Sequence, residues 1–449
     1  MIYHQDENAT IYNGDCIEVM ALLPENSVDA VVTDPPYGLE FMGKEWDITD
    51  QQFHQQWAEQ ALRVLKPGGY LLAFGGTRTS HRLVCGIEDA GFEIRDTICW
   101  LYGSGFPKNL DISKQIDKMA GAEREVIGEK TLGGMLPDRP NFGANDRSNG
   151  QGMGFRAGDV PITAPSTDSA KEWEGWGTAL KPAHEPICVA RKPLSEKNVA
   201  SNVLKWGTGG IDINGSRIAS NQGEYDIRHY TKEDCFQNLT PKKSKFQVKP
   251  QPQGRWPSNI ILECTCDEVR EGEVKAITGG TGKASKKSGG RHNWKPSNTG
   301  SKGDANGKEK IITHTDPNCP CYMLDEQSGD NKGAHGGTSC GYDWFSGGNA
   351  HQPINKDDSG GASRFFYIAK ASPKERGRNN AHPTVKPVAL MEYLVKMVSR
   401  EGYTVLDPFA GSMTTLLACA STGRKCIAIE QSEEYCKAIK NRFRQIVLI

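Results

Sequence analysis

The sequence predicts an α/β fold with a doubly wound, largely parallel sheet that is built from the two ends of the chain. β-Branched runs alternate with helix-period segments up to about residue 120, and the same alternation returns after about residue 362. The stretch between them is rich in Gly, Asn, Ser, Lys and Pro and has few periodic segments. The 449 residues suffice for two or three structural units, so we expect one ordered sheet and an irregular inserted region.

The N-terminal part predicts alternating strands and helices. Val28–Thr33 is a compact β-branched run that ends before a proline, which is typical of a buried parallel strand. Residues 53–65 have apolar side chains at helical spacing, and Lys-Pro-Gly-Gly at 66–69 would end that helix. The other elements predicted here are strands at 10–12 and 70–74 and a helix at 17–23.

The C-terminal part predicts the same alternation. Lys425–Glu430 is another β-branched strand, and Ser432 is placed to cap a final helix at 432–443. The other elements predicted here are strands at 364–369 and 405–407 and helices at 387–399 and 414–422.

Composition restricts the class of protein. Hydrophobic residues make up 37% and the mean hydropathy is −0.58, so long solvated stretches accompany the core. The formal net charge is −1, so any contact with nucleic acid must come from local basic patches. The N-terminus lacks a signal pattern, and no apolar run reaches the roughly 18 residues of a membrane span. We therefore expect a cytoplasmic protein without membrane contact, whose 13 cysteines are free thiols or metal ligands.

The first motif that carries chemistry is Thr-Asp-Pro-Pro-Tyr at 33–37, directly after the predicted buried strand. An exocyclic amino nitrogen is a poor nucleophile because its lone pair is delocalised into the ring of the base. Hydrogen bonds from its two protons to the Asp34 carboxylate and the Pro35 carbonyl would localise that lone pair, and Tyr37 offers a face for an extruded base. The alternative is a simple strand-ending turn.

The second motif is Asp-Pro-Phe-Ala-Gly-Ser at 407–412, between a predicted strand and a predicted helix. Gly411 would let the backbone approach a ligand closely at a helix N-terminus. Glu430 follows at the end of the next strand, at the spacing of a ribose-binding acid in dinucleotide folds. Without Glu430, a packing glycine would explain this loop equally well.

Together the two motifs resemble those of the DNA amino-methyltransferases, in which a D/N/S-P-P-Y/F/W loop pairs with an F-x-G-x-G cofactor loop. The catalytic loop comes first here, as in the β class, a circularly permuted Rossmann-like fold. Residues 382–387 (His-Pro-Thr-Val-Lys-Pro), 13–15 (Asn-Gly-Asp) and 181–186 (Lys-Pro-Ala-His-Glu-Pro) also resemble family segments. The resemblance implies that S-adenosylmethionine is the cofactor. The implied catalytic residues are Asp34, Pro35, Pro36 and Tyr37, and the implied cofactor-binding residues are Asp15, Asp34, Thr384, Lys386, Asp407, Phe409, Gly411, Ser412 and Glu430.

The resemblance also implies domains and a substrate. Residues 1–120 would form the catalytic half, 121–362 the target-recognition region and 363–449 the cofactor-binding half. The substrate would be double-stranded DNA with a flipped base. Asp34 at the head of the tetrad favours adenine N6, with cytosine N4 as the alternative. A non-DNA amino-methyltransferase or an inactive DNA-binding relative stays open, because Met413 replaces the family's second loop glycine.

Partners follow from the same resemblance. Many β-class enzymes act as homodimers, and no nuclease motif is visible, so a restriction endonuclease would be a separate protein. An orphan enzyme or one encoded by a phage or prophage fits equally well. For DNA contact we expect a flexible basic loop at 278–310 and a lysine-rich segment at 242–249. Trp173, Trp176 and Trp206 are candidates for stacking on bases, although burial is the default for tryptophan.

Two Cys-x-Cys pairs suggest a structural zinc site. Cys264, Cys266, Cys319 and Cys321 would give four thiolates, and His314 is placed to replace one of them. The alternative is unconnected thiols in a reducing compartment. A Pro-Cys dipeptide at 320–321 also occurs at the nucleophile of cytosine C5 enzymes, but here it lies far from any strand-to-loop junction, which argues against that chemistry.

Overall fold

The computed structural model describes most of the chain. The described residues are 1–38, 50–103, 105, 109–131, 159–218, 255–266, 269–275, 308–317, 319–328, 340–342, 349–351, 362–370 and 385–437. The predicted lysine-rich segment 242–249, most of the predicted basic loop 278–310, and Thr384 lie outside them.

Strands and helices alternate at both ends of the chain. The strands are β1 (Ile2–Gln5), β2 (Ala9–Asn13), β3 (Val28–Thr33), β4 (Leu65–Phe74), β5 (Glu93–Leu101), β6 (Val126–Thr131), β7 (Asp159–Thr163), β8 (His184–Arg191), β9 (Ile260–Cys264), β10 (Val269–Lys275), β11 (Lys308–His314), β12 (Cys340–Tyr342), β13 (Asn349–His351), β14 (Tyr367–Lys370), β15 (Thr404–Asp407) and β16 (Lys425–Glu430). The helices are α1 (Cys16–Leu22), α2 (Gln51–Val64), α3 (Ser80–Asp89), α4 (Ile112–Met119), α5 (Asp168–Glu172), α6 (Val199–Trp206), α7 (Pro320–Ser328), α8 (Val388–Val398) and α9 (Thr414–Ser421), with a 3₁₀ helix at Ala362–Phe365.

A ten-stranded sheet is the centre of the fold, in the order β1-β2-β16-β15-β3-β4-β8-β5-β9-β14. The run from β2 to β4 is parallel, and β8 is antiparallel to both of its neighbours. The C-terminal strands lie between N-terminal ones, because β16 pairs with β2 and β15 pairs with β3. The predicted doubly wound sheet, completed by both ends of the chain, is therefore confirmed.

Helices cover both faces of this sheet because alternate residues of a strand point to opposite sides. Val31 and Leu71 pack with apolar residues of α1, α2 and α3, among them the fully buried Trp57. Val32 and Leu72 pack on the other face with apolar residues of α8 and α9. Strands buried on both sides must be apolar throughout, which explains the continuous β-branched run of β3.

Some predicted boundaries were wrong. The Lys-Pro-Gly-Gly segment at 66–69 does not form a turn after α2 but belongs to β4, which begins at Leu65. A side chain at Gly69 would come within 2.7 Å of Leu65 and 2.9 Å of the Asp29 carbonyl, so this glycine permits close strand packing. The predicted strand at 364–369 starts only at Tyr367, because a 3₁₀ helix occupies the preceding residues.

The middle of the chain divides between two compact units. Two of its strands, β8 and β9, belong to the large sheet, although we assigned residues 121–362 to target recognition. Ser104–Pro182 forms a compact unit of its own, with α4, α5 and the antiparallel pair β6–β7. The functional boundaries at 120 and 362 stay a prediction. Among the described residues, no helix has the length and apolar character needed to cross a membrane.

The smaller unit is organised around one buried carboxylate. Asp117 accepts hydrogen bonds from Arg124 at 2.6 Å, from the backbone N–H groups of Ser166 and Thr167, and from the Thr167 hydroxyl. Burial would raise the pKa of Asp117, but these hydrogen bonds lower it to about 2. Two tryptophans of this unit are not core residues, since Trp173 is 40% exposed and Trp176 is 60% exposed.

Candidate active site

Two loops that are far apart in sequence meet at the carboxyl ends of two adjacent strands of the sheet. β3 ends at Thr33 and β15 ends at Asp407, and these strands are parallel neighbours. The Thr33 hydroxyl donates to the Asp407 carboxylate at 2.7 Å across a separation of 374 residues. The carboxyl ends of adjacent parallel strands form the usual ligand-binding edge of such a sheet. The loop after β3 and the loop after β15 therefore share one site.

Asp34 lies in a network of four polar side chains. Lys386 Nζ donates to Asp34 Oδ2 at 2.7 Å and lies 3.2 Å from Glu185 Oε2. The Tyr37 hydroxyl is 2.8 Å from Asp34 Oδ1 and 3.1 Å from Glu185 Oε2, and it also accepts from Lys386 at 3.2 Å. The network joins the loop after β3, the first residues of β8 and the segment before α8.

The protonation states in this network follow from its charges. Burial alone would lower the pKa of Lys386, but the Asp34 and Glu185 carboxylates raise it above its ordinary value. Burial, Asp34 and Glu185 together raise the pKa of Tyr37 well above its ordinary value. At neutral pH the lysine is therefore a cation and the tyrosine hydroxyl keeps its proton. With both carboxylates ionised, the network contains one positive and two negative charges, so its net charge is −1.

The loop after β15 is held by two acidic side chains. Asp407 accepts from the hydroxyls of Thr33 and Thr415 and from the Phe409 N–H, at 2.7, 2.6 and 3.1 Å. Burial raises the pKa of Asp407 to about 6, although these hydrogen bonds favour its ionised form. Glu430 at the end of β16 accepts from the Gly411 N–H at 2.9 Å.

Glu430 also lies beside the N-terminal segment that the family resemblance singled out. Its other carboxylate oxygen accepts from the Ser432 N–H at 2.7 Å, and burial raises its pKa. Its carbonyl accepts from the Asn13 side chain at 2.9 Å and from the Gly14 N–H at 3.1 Å. Asp15, however, uses its carboxylate to cap α1 by accepting from the N–H groups of residues 17 and 18.

Phe409 and Met413 have different roles in the cofactor-type loop. The Phe409 ring packs edge-on against Trp57, with the ring centroids 5.5 Å apart. Met413 is 1% exposed, and its side chain lies in the apolar core together with residues of α8 and α9. Its backbone has φ of 56°, a left-handed conformation that favours glycine. The position thus has the geometry of a glycine and the packing of a core residue.

The structure brings together most of the residues that the sequence proposed. Asp34, Tyr37 and Lys386 share one network, and Pro35 is buried beside them. The loop containing Asp407, Phe409, Gly411 and Ser412 lies at the adjacent strand end, where the Ser412 hydroxyl is 3.1 Å from Thr414. Glu185 was not predicted as a site residue, although it lies in the segment 181–186, whose sequence resembles a family segment.

The cysteine pairs gather elsewhere, around the end of β9. Cys264, Cys266, His314 and Cys319 have one ligand atom each within 4.8 Å of one another. Cys321, which we predicted as a fourth thiolate, is outside that group. Its thiol instead donates to the Glu263 carbonyl at 3.6 Å. The fourth member of this group of possible metal ligands is therefore His314 and not Cys321.

Comparison with known proteins finds similarity to DNA methylases. The family model described as DNA methylase, of the N6/N4 type, matches residues 28–441. The type II methyltransferase M.HpaI of Haemophilus parainfluenzae is 33% identical over 112 residues, which is 23% of this chain and 35% of the relative. M.HindIII of Haemophilus influenzae is 23% identical over 247 residues, which is 45% of this chain and 65% of the relative. The match thus spans less than two thirds of either relative.

Among solved structures, the cytosine-N4-specific PvuII DNA methyltransferase aligns with 98% of this chain and 87% of its own, with 14% identity and a TM-score of 0.39. The family model matches residues 28–441, which is well over half of the chain and includes both strand-end loops. On that match, the chain belongs to the N6/N4 DNA methylase family.

Proposed function

We propose that this protein transfers a methyl group from S-adenosylmethionine to adenine N6 in double-stranded DNA. The observation that supports this most strongly is the convergence of the Asp34 loop and the Phe409 loop at neighbouring strand ends, tied by the bond from Thr33 to Asp407. A reaction that consists of direct attack by an amino nitrogen depends mainly on positioning, and this arrangement provides it.

The donor set around the two loops suits the proposed cofactor. Glu430 ends β16 beside the Phe409 loop, where a carboxylate is suited to accept hydrogen bonds from ribose hydroxyls. The network of Asp34, Glu185 and Lys386 has a net charge of −1 when both acids are ionised, which complements a cationic sulfonium. When bound, the cofactor would supply an electrophilic methyl group. Activating the amino nitrogen and holding the base would fall to the side chains of the protein.

Asp34 and Pro35 would activate the amino group. An ionised Asp34 accepts a hydrogen bond from one amino proton, and the Pro35 carbonyl accepts the other, which concentrates the lone pair on nitrogen. Lys386 donates a hydrogen bond to Asp34 Oδ2 at 2.7 Å, which fixes the orientation of the carboxylate. Asp34 is also placed to receive the proton that the nitrogen must lose once its new bond to carbon has formed.

Tyr37 would hold the extruded base. Its hydroxyl is fixed by Asp34, Glu185 and Lys386, so the ring orientation is set before a base arrives. Lys386 also lies 5.5 Å from the ring centroid of Tyr37 and 4.9 Å from that of Phe74. Two further groups are candidates for DNA contact. The exposed Trp173 and Trp176 could stack on bases, and the basic segments 242–249 and 278–310 could contact phosphates.

Nucleoside analysis tests the proposal. Full-length protein is incubated with unmethylated duplex DNA and isotopically labelled S-adenosylmethionine, and the digested DNA is examined by mass spectrometry. We expect labelled N6-methyladenine with the natural protein and with Asp89→Ala, an exposed carboxylate on α3, and none with Asp34→Ala. Label in N4-methylcytosine would establish the other base. Cofactor binding without labelled DNA would contradict the proposal and favour an inactive relative.

A further inference from the structure

Three thiols and an imidazole meet in the interior beside the edge of the large sheet. Cys264 is the last residue of β9, His314 is the last residue of β11, and Cys319 directly precedes α7. His314 Nδ1 lies 3.3 Å from Cys264 Sγ, 3.7 Å from Cys266 Sγ and 3.8 Å from Cys319 Sγ. None of the four residues is more than 3% exposed.

These distances match the edges of a metal-centred tetrahedron. With Zn–S bonds of about 2.3 Å and a Zn–N bond of about 2.05 Å, tetrahedral angles place nitrogen and sulfur about 3.6 Å apart. The observed separations of 3.3, 3.7 and 3.8 Å lie on both sides of that value. Only the nitrogen Nδ1 faces the three sulfurs, as a single imidazole ligand requires.

The surroundings of Cys266 favour a charged sulfur. The backbone N–H groups of Thr315 and Asp316 both point at Cys266 Sγ, at 3.3 and 3.4 Å. A neutral thiol is a weak acceptor, whereas a metal-bound thiolate accepts such hydrogen bonds well. Cys264, Cys266 and Cys319 are all free of disulfides, so their sulfurs are available as ligands.

We propose that Cys264, Cys266, His314 and Cys319 bind one structural Zn²⁺ ion. Four protein ligands close the coordination sphere, which is the arrangement of structural rather than catalytic zinc. The ion would join the end of β9 to β11 and to the start of α7. The fully buried members of the apolar cluster here are the four cysteines and Leu262, with only partly buried apolar side chains around them, so a metal would supply much of the stability of this region.

Cys321 provides a matched control for the ligand Cys319. Both residues are fully buried and lie two positions apart, yet only Cys319 faces His314. Metal content is measured by mass spectrometry on full-length protein purified without added chelator. We expect about one zinc per chain in the natural protein and in Cys321→Ala, and at least a tenfold loss in Cys319→Ala. Folded natural protein without zinc, or equal zinc in both variants, would overturn the proposal.

A spectroscopic measurement keeps the test independent of whether Cys319→Ala folds. The natural protein is loaded with Co²⁺ in place of zinc, and its absorption is recorded alongside that of His314→Cys. A tetrahedral site with three sulfurs predicts visible d–d bands and a thiolate-to-cobalt band, and the band should grow when His314 is replaced by a fourth thiolate. Octahedral cobalt spectra in both proteins would overturn the proposal.

Discussion

Asp407→Asn should make the protein more stable at neutral pH, with a gain that shrinks as the pH falls toward about 4. Asp407 is 3% exposed, and its pKa is raised from about 3.8 to about 6 because burial disfavours the charge. A carboxyl with a raised pKa binds its proton more tightly in the folded state, so its contribution to stability is greatest at low pH. That contribution falls as pH rises from about 4 to about 6 and stays low above it.

The size of the effect follows from the pKa difference. Roughly two pKa units at about 1.4 kcal/mol each give about 3 kcal/mol. An asparagine keeps an oxygen to accept from Thr33 and Phe409, while its amide can donate to the Thr415 hydroxyl, which is free to turn. The variant therefore loses the charge and retains the hydrogen bonds.

Urea unfolding of both proteins between pH 4.5 and pH 8 measures this. The difference in unfolding free energy, variant minus natural protein, should rise from about 1 kcal/mol at pH 4.5 to about 3 kcal/mol at pH 8. Asp89→Asn, at an exposed position of α3, should stay within about 0.5 kcal/mol throughout. A difference for Asp407→Asn that does not vary with pH would refute the reasoning.

Three further substitutions test the site. Lys386→Met removes the cation between Asp34 and Glu185, so unfolding free energy should fall by about 3–5 kcal/mol in urea titrations; an unchanged midpoint would contradict this. Tyr37→Phe should slow single-turnover methylation about tenfold through its lost hydroxyl, and Tyr37→Ala should slow it at least tenfold more through lost stacking; equal rates would exclude the stacking role. Met413→Gly relieves a left-handed backbone at a cost in packing, so calorimetry should show a net loss of about 2 kcal/mol, and a gain would contradict the packing role.

The sequence predicted the sheet well because its signals were local. The β-branched runs of β3 and β16 and the helical spacing of α2 and α8 each identify an element without reference to the rest of the chain. The strand-end loops could then be placed, since a loop after a buried parallel strand lies at the carboxyl edge of the sheet. Family resemblance added the chain order that places β15 and β16 between β2 and β3.

The errors came from interactions that are not local. Residues 66–69 have the composition of a turn, but they belong to β4, where Gly69 packs closely against Leu65 and the Asp29 carbonyl. Cys319 and Cys321 form one Cys-x-Cys pair in the sequence, but Cys319 directly precedes α7 and Cys321 lies on its first turn, so only the Cys319 sulfur faces His314. Glu185 was missed because its carboxylate gains a role only when β8 inserts beside β4.

The permuted chain order has a consequence for how the site forms. Asp34 and its partner Lys386 are 352 residues apart, and Thr33 and Asp407 are 374 residues apart. No local segment can therefore build the site, which is complete only when β15 and β16 pair between β3 and β2. Without the C-terminal part of the chain, Asp34 and Tyr37 both lack their contact with Lys386, so correct pairing of the two chain ends completes the site for the proposed chemistry.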